Sequence, residues 1–154
     1  MLYNVAIRRA LPGDVKLLYK WSNDSVVRSQ SFNSDEISFE THCKWFERKL
    51  KDEQALIYIV EADAIPAALV RFDMTEKGTV IGIAVSEDYR GKRLGANAIK
   101  IGLKEYFIRH DLTVFASIKK DNIASIKSFQ KAGFVFLKDE VINGIESKVY
   151  QIEK

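Results

Sequence analysis

Cysteine is almost missing from this chain, and proline, histidine and methionine are scarce: one, two, two and two among 154 residues. With Cys43 alone, neither an intrachain disulfide nor a cysteine metal cluster can form, and the residue reads as a buried small side chain. No metal is expected. Linkers, repeats and low-complexity tracts are also absent. The length suits one domain with a sizeable core, so residues 1–154 are expected to form a single unit. Apolar residues make up 47% of the chain, yet no run approaches the roughly 18 uninterrupted apolar residues of a membrane span. A soluble, cytoplasmic protein with no membrane partner is expected.

Acidic residues are scarce in one region. Three of them accompany ten basic residues between Arg90 and Lys131, although the whole chain carries a formal charge of only +3. Lys100, Lys104 and Arg109 suit a solvated helical face. The loop at the start of this region suits a polyanion better. Nucleic acid is not the expected partner, because no aromatic-rich strand motif or paired-helix reading motif accompanies the charge.

The periodicity predicts a strand over Tyr3–Arg8, then a helix capped by Asp14 with Val15, Leu18 and Trp21 inward. A second helix follows Ser38, with Phe39, Cys43, Phe46 and Leu50 on one stripe. Three β-rich runs, Leu56–Ala62, Ala67–Asp73 and Thr79–Val85, are separated by short turn-like segments that hold one of the two prolines, and predict an antiparallel meander. A helix over Gly95–Arg109 with Ile99, Leu103 and Tyr106 inward leads to a strand over Thr113–Ile118. A helix over Ile123–Lys131 ends at Ala132-Gly133, and two last strands are joined around Asn143-Gly144. The class is α+β.

"YRGKRLGANAI", Tyr89 to Ile99, lies between the third meander strand and the following helix. A helix N-terminus exposes unpaired backbone N–H groups and the positive end of its dipole, where phosphate is stabilised. Small residues let the backbone approach, and Arg90, Lys92 and Arg93 add charge. The glycine spacing is neither a dinucleotide fingerprint nor a P-loop.

"IGIAVSEDYRGKRLGANAI" and "NIASIKSFQKAGFVF", in this order, resemble the two cofactor motifs of the GNAT family of N-acetyltransferases. The order of strands and helices resembles that family over the whole chain. The resemblance implies the GNAT fold, a mixed, mostly antiparallel sheet of about seven strands flanked by about four helices. It also implies acetyl-CoA as cofactor and direct attack of a primary amine on the thioester. By the same resemblance, Ile83 and Val85 present backbone groups to the pantetheine arm. Arg90, Gly91, Lys92, Arg93, Leu94, Gly95 and Ala96 form the pyrophosphate loop. Asn122 and Ser125 flank the thiol end, and Phe129 and Lys131 complete the cofactor set.

Two positions depart from the family's pattern. Arg93 stands where the motif has its central glycine; a helical first-turn conformation would need no positive φ there, so the arginine is expected to be accommodated with its side chain outward. Phe129 stands where many members have a tyrosine that protonates the leaving thiolate, which leaves water or Ser125 for that step.

For the amine's proton, His42, Glu61 and Asp73 are the candidates. His42 lies three residues after Phe39 and four before Phe46, so a core histidine with one hydrogen bond is the competing reading. The segment "WSNDSVVRSQSFNSDEISFETHCKWFERKL" resembles amino-sugar N-acetyltransferases of nonulosonic (pseudaminic-type) acid biosynthesis. That resemblance implies a small amine acceptor, a nucleotide-linked sugar, with Arg28 and Arg71 as clamps for its diphosphate and Phe32 and Trp45 as flat faces. Ribosomal-protein and peptide Nα-acetyltransferases share part of the pattern and stand as the alternative, as does a CoA-binding domain without turnover. A homodimer is compatible with all of these.

Overall fold

The structure is a computed structural model that describes residues 3–154. Seven strands form one sheet in the order β1-β2-β3-β4-β5-β7-β6. They are β1 (Val5–Arg9), β2 (Ala55–Ala62), β3 (Ile65–Thr75), β4 (Gly78–Val85), β5 (Val114–Lys119), β6 (Val135–Ile142) and β7 (Ile145–Ile152). Every neighbouring pair is antiparallel except β4 with β5. The β2–β3 and β6–β7 hairpins close on tight turns with positive φ at both central residues, Asp63-Ala64 (49° and 69°) and Asn143-Gly144 (50° and 75°). Pro66 is not in the turn but in β3 itself, opposite Glu61, where the register slips after Val60. A residue without an N–H is tolerated at such an irregularity.

Side chains alternate between the two faces of a strand, and both faces of the central strands are covered. On one face Tyr58, Val60, Val70, Phe72 and Ile81 pack with Ile99, Leu103 and Tyr106 of α4 (Leu94–Arg109), and with Ile126 and Phe129 of α5 (Ile123–Lys131). On the other, Ile57, Ile59, Leu69 and Ala84 pack with Leu18 and Trp21 of α1 (Val15–Ser22) and Phe46 of α3 (Phe39–Lys51). This two-sided cover is why β2 reads as an almost continuous apolar run. Gly102 brings α4 close to β3, for a Cβ there would sit 2.9 Å from Val70 Cγ1. The buried Thr79 and Tyr106 hydroxyls satisfy each other at 2.6 Å.

Three expectations change. A short helix, α2 (Ser25–Gln30), adds a fifth helix to the four expected; the Asp24 carboxylate caps it by accepting from the Val26 and Val27 N–H groups. Asp14 does not cap α1, because its carboxylate turns back to the Leu11 N–H at 2.7 Å and to the Arg8 guanidinium at 2.9 and 3.0 Å. Ser38 caps α3 as expected, but the buried side of that helix is His42 and Phe46, with Cys43 only half-buried and Phe39 41% exposed. Burial of His42 is paid for by a hydrogen bond to a main-chain oxygen of α1, which a phenylalanine could not make.

Candidate active site

β4 and β5 pair only at Thr79↔Val114 and Val80↔Phe115; beyond these residues they part. The Thr79 N–H donates to the Thr113 carbonyl on the β5 side (2.9 Å), and the Ser86 N–H donates to Ala67 on the β3 side (2.8 Å). The register between β3 and β4 is unbroken, so N–H groups alternate. Those of Ile81, Ile83 and Val85 therefore point into the gap.

The gap leads to the start of α4. Past Val85 the chain makes a 3-10 turn (Glu87–Tyr89), is extended at Arg90, and takes positive φ at Gly91 (72°) and Arg93 (62°). Arg93 is thus not in the first helical turn, as expected, but precedes it as a left-handed N-cap with ψ of 14° and no side-chain cap. The motif's glycine marks a backbone conformation here, and an L-residue in it costs about 1–2 kcal/mol. Lys92 and Arg93 are exposed, and the first amides of α4 lack side-chain acceptors. Leu94 and Ala96 turn their side chains into the core. Gly95 serves packing, since a Cβ there would lie 3.1 Å from Ser128 Oγ of α5.

Arg90 is committed elsewhere. Its guanidinium meets Asp24 at 2.6 Å, the same carboxylate that caps α2. Asn122 caps α5, accepting from the Ser125 N–H at 3.3 Å while its amide donates to Ser125 Oγ at 3.0 Å. With that oxygen accepting, the Ser125 hydroxyl hydrogen is left to donate. Phe129 is 3% exposed and meets the Phe134 ring edge-on at 5.0 Å, a core position. Lys131 is exposed in the last turn of the same helix, about 9 Å along the axis from Ser125.

The acid–base candidates are engaged. His42 is 2% exposed, with Nε2 3.0 Å from the Val15 carbonyl and its ring stacked on Phe46; burial pushes its pKa down. The structure gives it the core reading and an Nε2–H donor to Val15, in place of a proton route for the amine. Glu61 faces Arg8 at 3.5 Å, and Asp73 meets Lys49 at 2.8 Å and Arg71 at 3.7 Å.

The acceptor candidates gather on the α1–α3 face. Arg71 on β3 lies over the Trp45 ring of α3, 5.7 Å from its centroid, and against Gly82 of β4, in the stretch where β4 leaves β5. Phe32 is half-buried in the α2–α3 connection. Burial and the nearby Arg71 charge lower the Arg28 pKa. Lys119, the last residue of β5, was counted in the sequence only as one of ten basic residues; its Nζ donates to the Ser29 carbonyl of α2 at 2.8 Å. Nothing in the spacing links residue 119 to residue 28.

A family model described as an acetyltransferase (GNAT) domain matches residues 4–135. The chain belongs to the GNAT acetyltransferase family. As a member it is an acyltransferase, and the observed fold is the GNAT fold expected from the sequence. An uncharacterized N-acetyltransferase of Bacillus subtilis, YfmK, is 30% identical over 91 residues, which are 59% of this chain and 62% of that protein. Spermidine N(1)-acetyltransferase of Escherichia coli is 22% identical over 136 residues, 86% of this chain and 73% of its own. Among solved structures, spermidine N-acetyltransferase of Vibrio cholerae in complex with CoA and spermine superposes with a TM-score of 0.86 at 19% identity, covering 97% of this chain and 95% of that one. An aminoglycoside acetyltransferase, AAC(6')-Ib, in complex with ribostamycin and CoA gives 0.84 at 15%, covering 97% and 93%. CoA is the cofactor of these GNAT neighbours, and the residues here fit it: N–H donors line the gap, and a basic loop with two left-handed residues opens α4. Acetyltransferases of nucleotide-linked, pseudaminic-type amino sugars are not among these relatives. No described helix is long and apolar enough to cross a membrane.

Proposed function

We propose that this GNAT protein transfers an acetyl group from acetyl-CoA directly to a small primary amine. The observation that carries the reading is the parting of β4 from β5 beside the start of α4. In this reading the Ile83 and Val85 backbone holds the pantetheine amides. The amides of Gly91, Lys92, Arg93, Leu94, Gly95 and Ala96, with the exposed Lys92 and Arg93 charges, hold the pyrophosphate. Arg90 contributes backbone only, because its side chain is taken by Asp24. When bound, acetyl-CoA supplies the activated thioester. Donors already fixed along β4 favour the charge that develops on its carbonyl. In this reading Ser125, whose Oγ accepts from the Asn122 amide, gives a proton to the leaving sulfur, which Phe129 cannot do.

With His42 bonded to Val15, Glu61 facing Arg8 and Asp73 held by Lys49, the amine in this reading arrives neutral or loses its proton to water. For the acceptor the finer reading is a nucleotide-linked amino sugar, for which Trp45 and Phe32 offer flat faces. Polyamines, aminoglycosides and N-terminal peptides are the competing acceptors. Calorimetry with CoA, followed by thiol release from acetyl-CoA over a panel of these amines, tests the reading. Folded protein that binds no CoA would overturn it, and activity on peptides alone would move the acceptor to that class.

A further inference from the structure

Three cations from three elements converge where β4 and β5 part: Arg28 from α2, Arg71 from β3 and Lys119 from β5. Two of them line an open cleft of about 520 Å3 together with Asn23, Ser25, Ser34 and Glu36, a size in the range of small-ligand pockets. Along β5, Val114, Ala116 and Ile118 enter the core with α4 and α5, so Lys119 emerges on the opposite face, the one that carries Arg71 and α2. Arg71 rests against Gly82, inside the separating part of β4, which ties the cluster to the gap.

The charge is only partly neutralised from within. Among the described residues neither Arg28 nor Lys119 makes an ion pair; Arg28 Nη1 donates only to the Asp35 carbonyl at 3.1 Å, and Lys119 only to Ser29. The nearby carboxylates have other partners: Asp24 is held by Arg90 at 2.6 Å, and Asp73 is closer to Lys49 than to Arg71. Asp35 lies close enough to Arg28 to be felt, and Glu36 is the one acid in the cleft lining. The Nε–H of Arg28 is shut off from solvent and has no hydrogen-bond partner among the described residues. An atom closed to water is closed to a ligand oxygen as well, so an anion in the cleft would meet the guanidinium at Nη2, which also makes no hydrogen bond among the described residues. Arginine favours planar, two-oxygen anions, and lysine adds a point charge.

We propose that Arg28, Arg71 and Lys119 form a subsite for an anionic group, phosphate or carboxylate, carried by the amine acceptor. The proposal rests on the acetyltransferase reading and narrows it to zwitterionic or anionic amines. The same charges repel a polyamine, so spermidine is disfavoured as a substrate by like-charge contact.

The test uses the full chain saturated with CoA, so that the pyrophosphate loop is already filled. Inorganic pyrophosphate, succinate and spermidine are titrated separately and followed by amide chemical shifts. One or both anions are expected to shift residues of α2 and the end of β5, and spermidine is not. Which anion binds tells phosphate from carboxylate. Arg28→Ala and Lys119→Gln should each weaken that binding about tenfold or more, while CoA affinity, which also reports folding, stays within about twofold. Absence of both anions from the cleft, binding unchanged in both variants, or spermidine binding there overturns the subsite. A loss of CoA binding by the wild type would instead strike the acetyltransferase reading itself.

Discussion

Replacing Arg93 with glycine separates a backbone requirement from a charge. At φ 62° and ψ 14° the arginine occupies left-handed space just before α4, and it makes no side-chain cap there. Relief of that conformation is worth about 1–2 kcal/mol for an L-residue. Glycine returns about 0.5–1 kcal/mol of this as extra chain entropy lost on folding. The net gain is about 0–1.5 kcal/mol, or a Tm rise of up to about 6 °C for a chain of this length. Arg93→Ala is the control, because it removes the guanidinium and keeps a Cβ in the same strained conformation. Thermal melts of the three proteins, with calorimetry of CoA binding, make the comparison. Glycine should raise Tm and alanine should not, and both should hold CoA within about tenfold, 1.4 kcal/mol, of wild type. An equal rise in both variants would show that repulsion from neighbouring Arg90 and Lys92 was relieved and that the left-handed conformation cost nothing. A much larger loss of CoA affinity in both would show that the guanidinium grips phosphate itself.

Three other outcomes follow from the geometry. Burial lowers the His42 pKa below its ordinary value near 6.5, so on acidification the unfolded chain takes up a proton that the folded chain refuses. Stability is therefore full above about pH 6.5 and declines as pH falls below it; denaturant titrations from pH 5 to 8 should show part of that slope missing in His42→Gln, and parallel profiles would contradict the buried, neutral assignment. Ser125→Ala should lower kcat by about a hundredfold, the low end of what a positioned acid provides, with CoA affinity unchanged; an unchanged kcat would assign the proton to water. Phe129→Tyr should leave kcat within about tenfold, because the ring is embedded against Phe134, whereas a rise of a hundredfold would show that the wild type lacks an acid it needs.

The sheet and its two long-range helices were legible because their signals are local. β2, β3 and β4 announce themselves by β-rich runs between turns, and α4 by Ile99, Leu103 and Tyr106 at helical spacing, all buried in the structure. The Asn143-Gly144 hairpin needs two left-handed residues, which its sequence favours. Helix α2 was not legible: six residues with adjacent β-branched Val26 and Val27 carry little helical propensity, and the helix leans on Asp24 and on contacts made far away in sequence. Asp14 could serve α1 or Arg8 equally well on paper, and only the position of β1 decides. The left-handed state of Arg93 is a property of the bend, which residue type does not report when arginine fills it. Arg28, Arg71 and Lys119 come together only because the strand order sets β3 and β5 on either side of β4 and lays α2 across them.

One carboxylate joins the two halves of this site. Asp24 caps α2 through the Val26 and Val27 amides and also holds Arg90 at the head of the basic loop. The helix that carries Arg28 and accepts from Lys119 is thus moored to the loop that precedes α4. Sites that share a mooring are thermodynamically coupled, and the coupling is reciprocal: whatever affinity an ordered loop lends to ligands at α2, an ordered α2 lends to ligands at the loop. Two substrates that meet such a joint each change the other's affinity by one shared factor, and cutting the Asp24–Arg90 pair should bring that factor toward one.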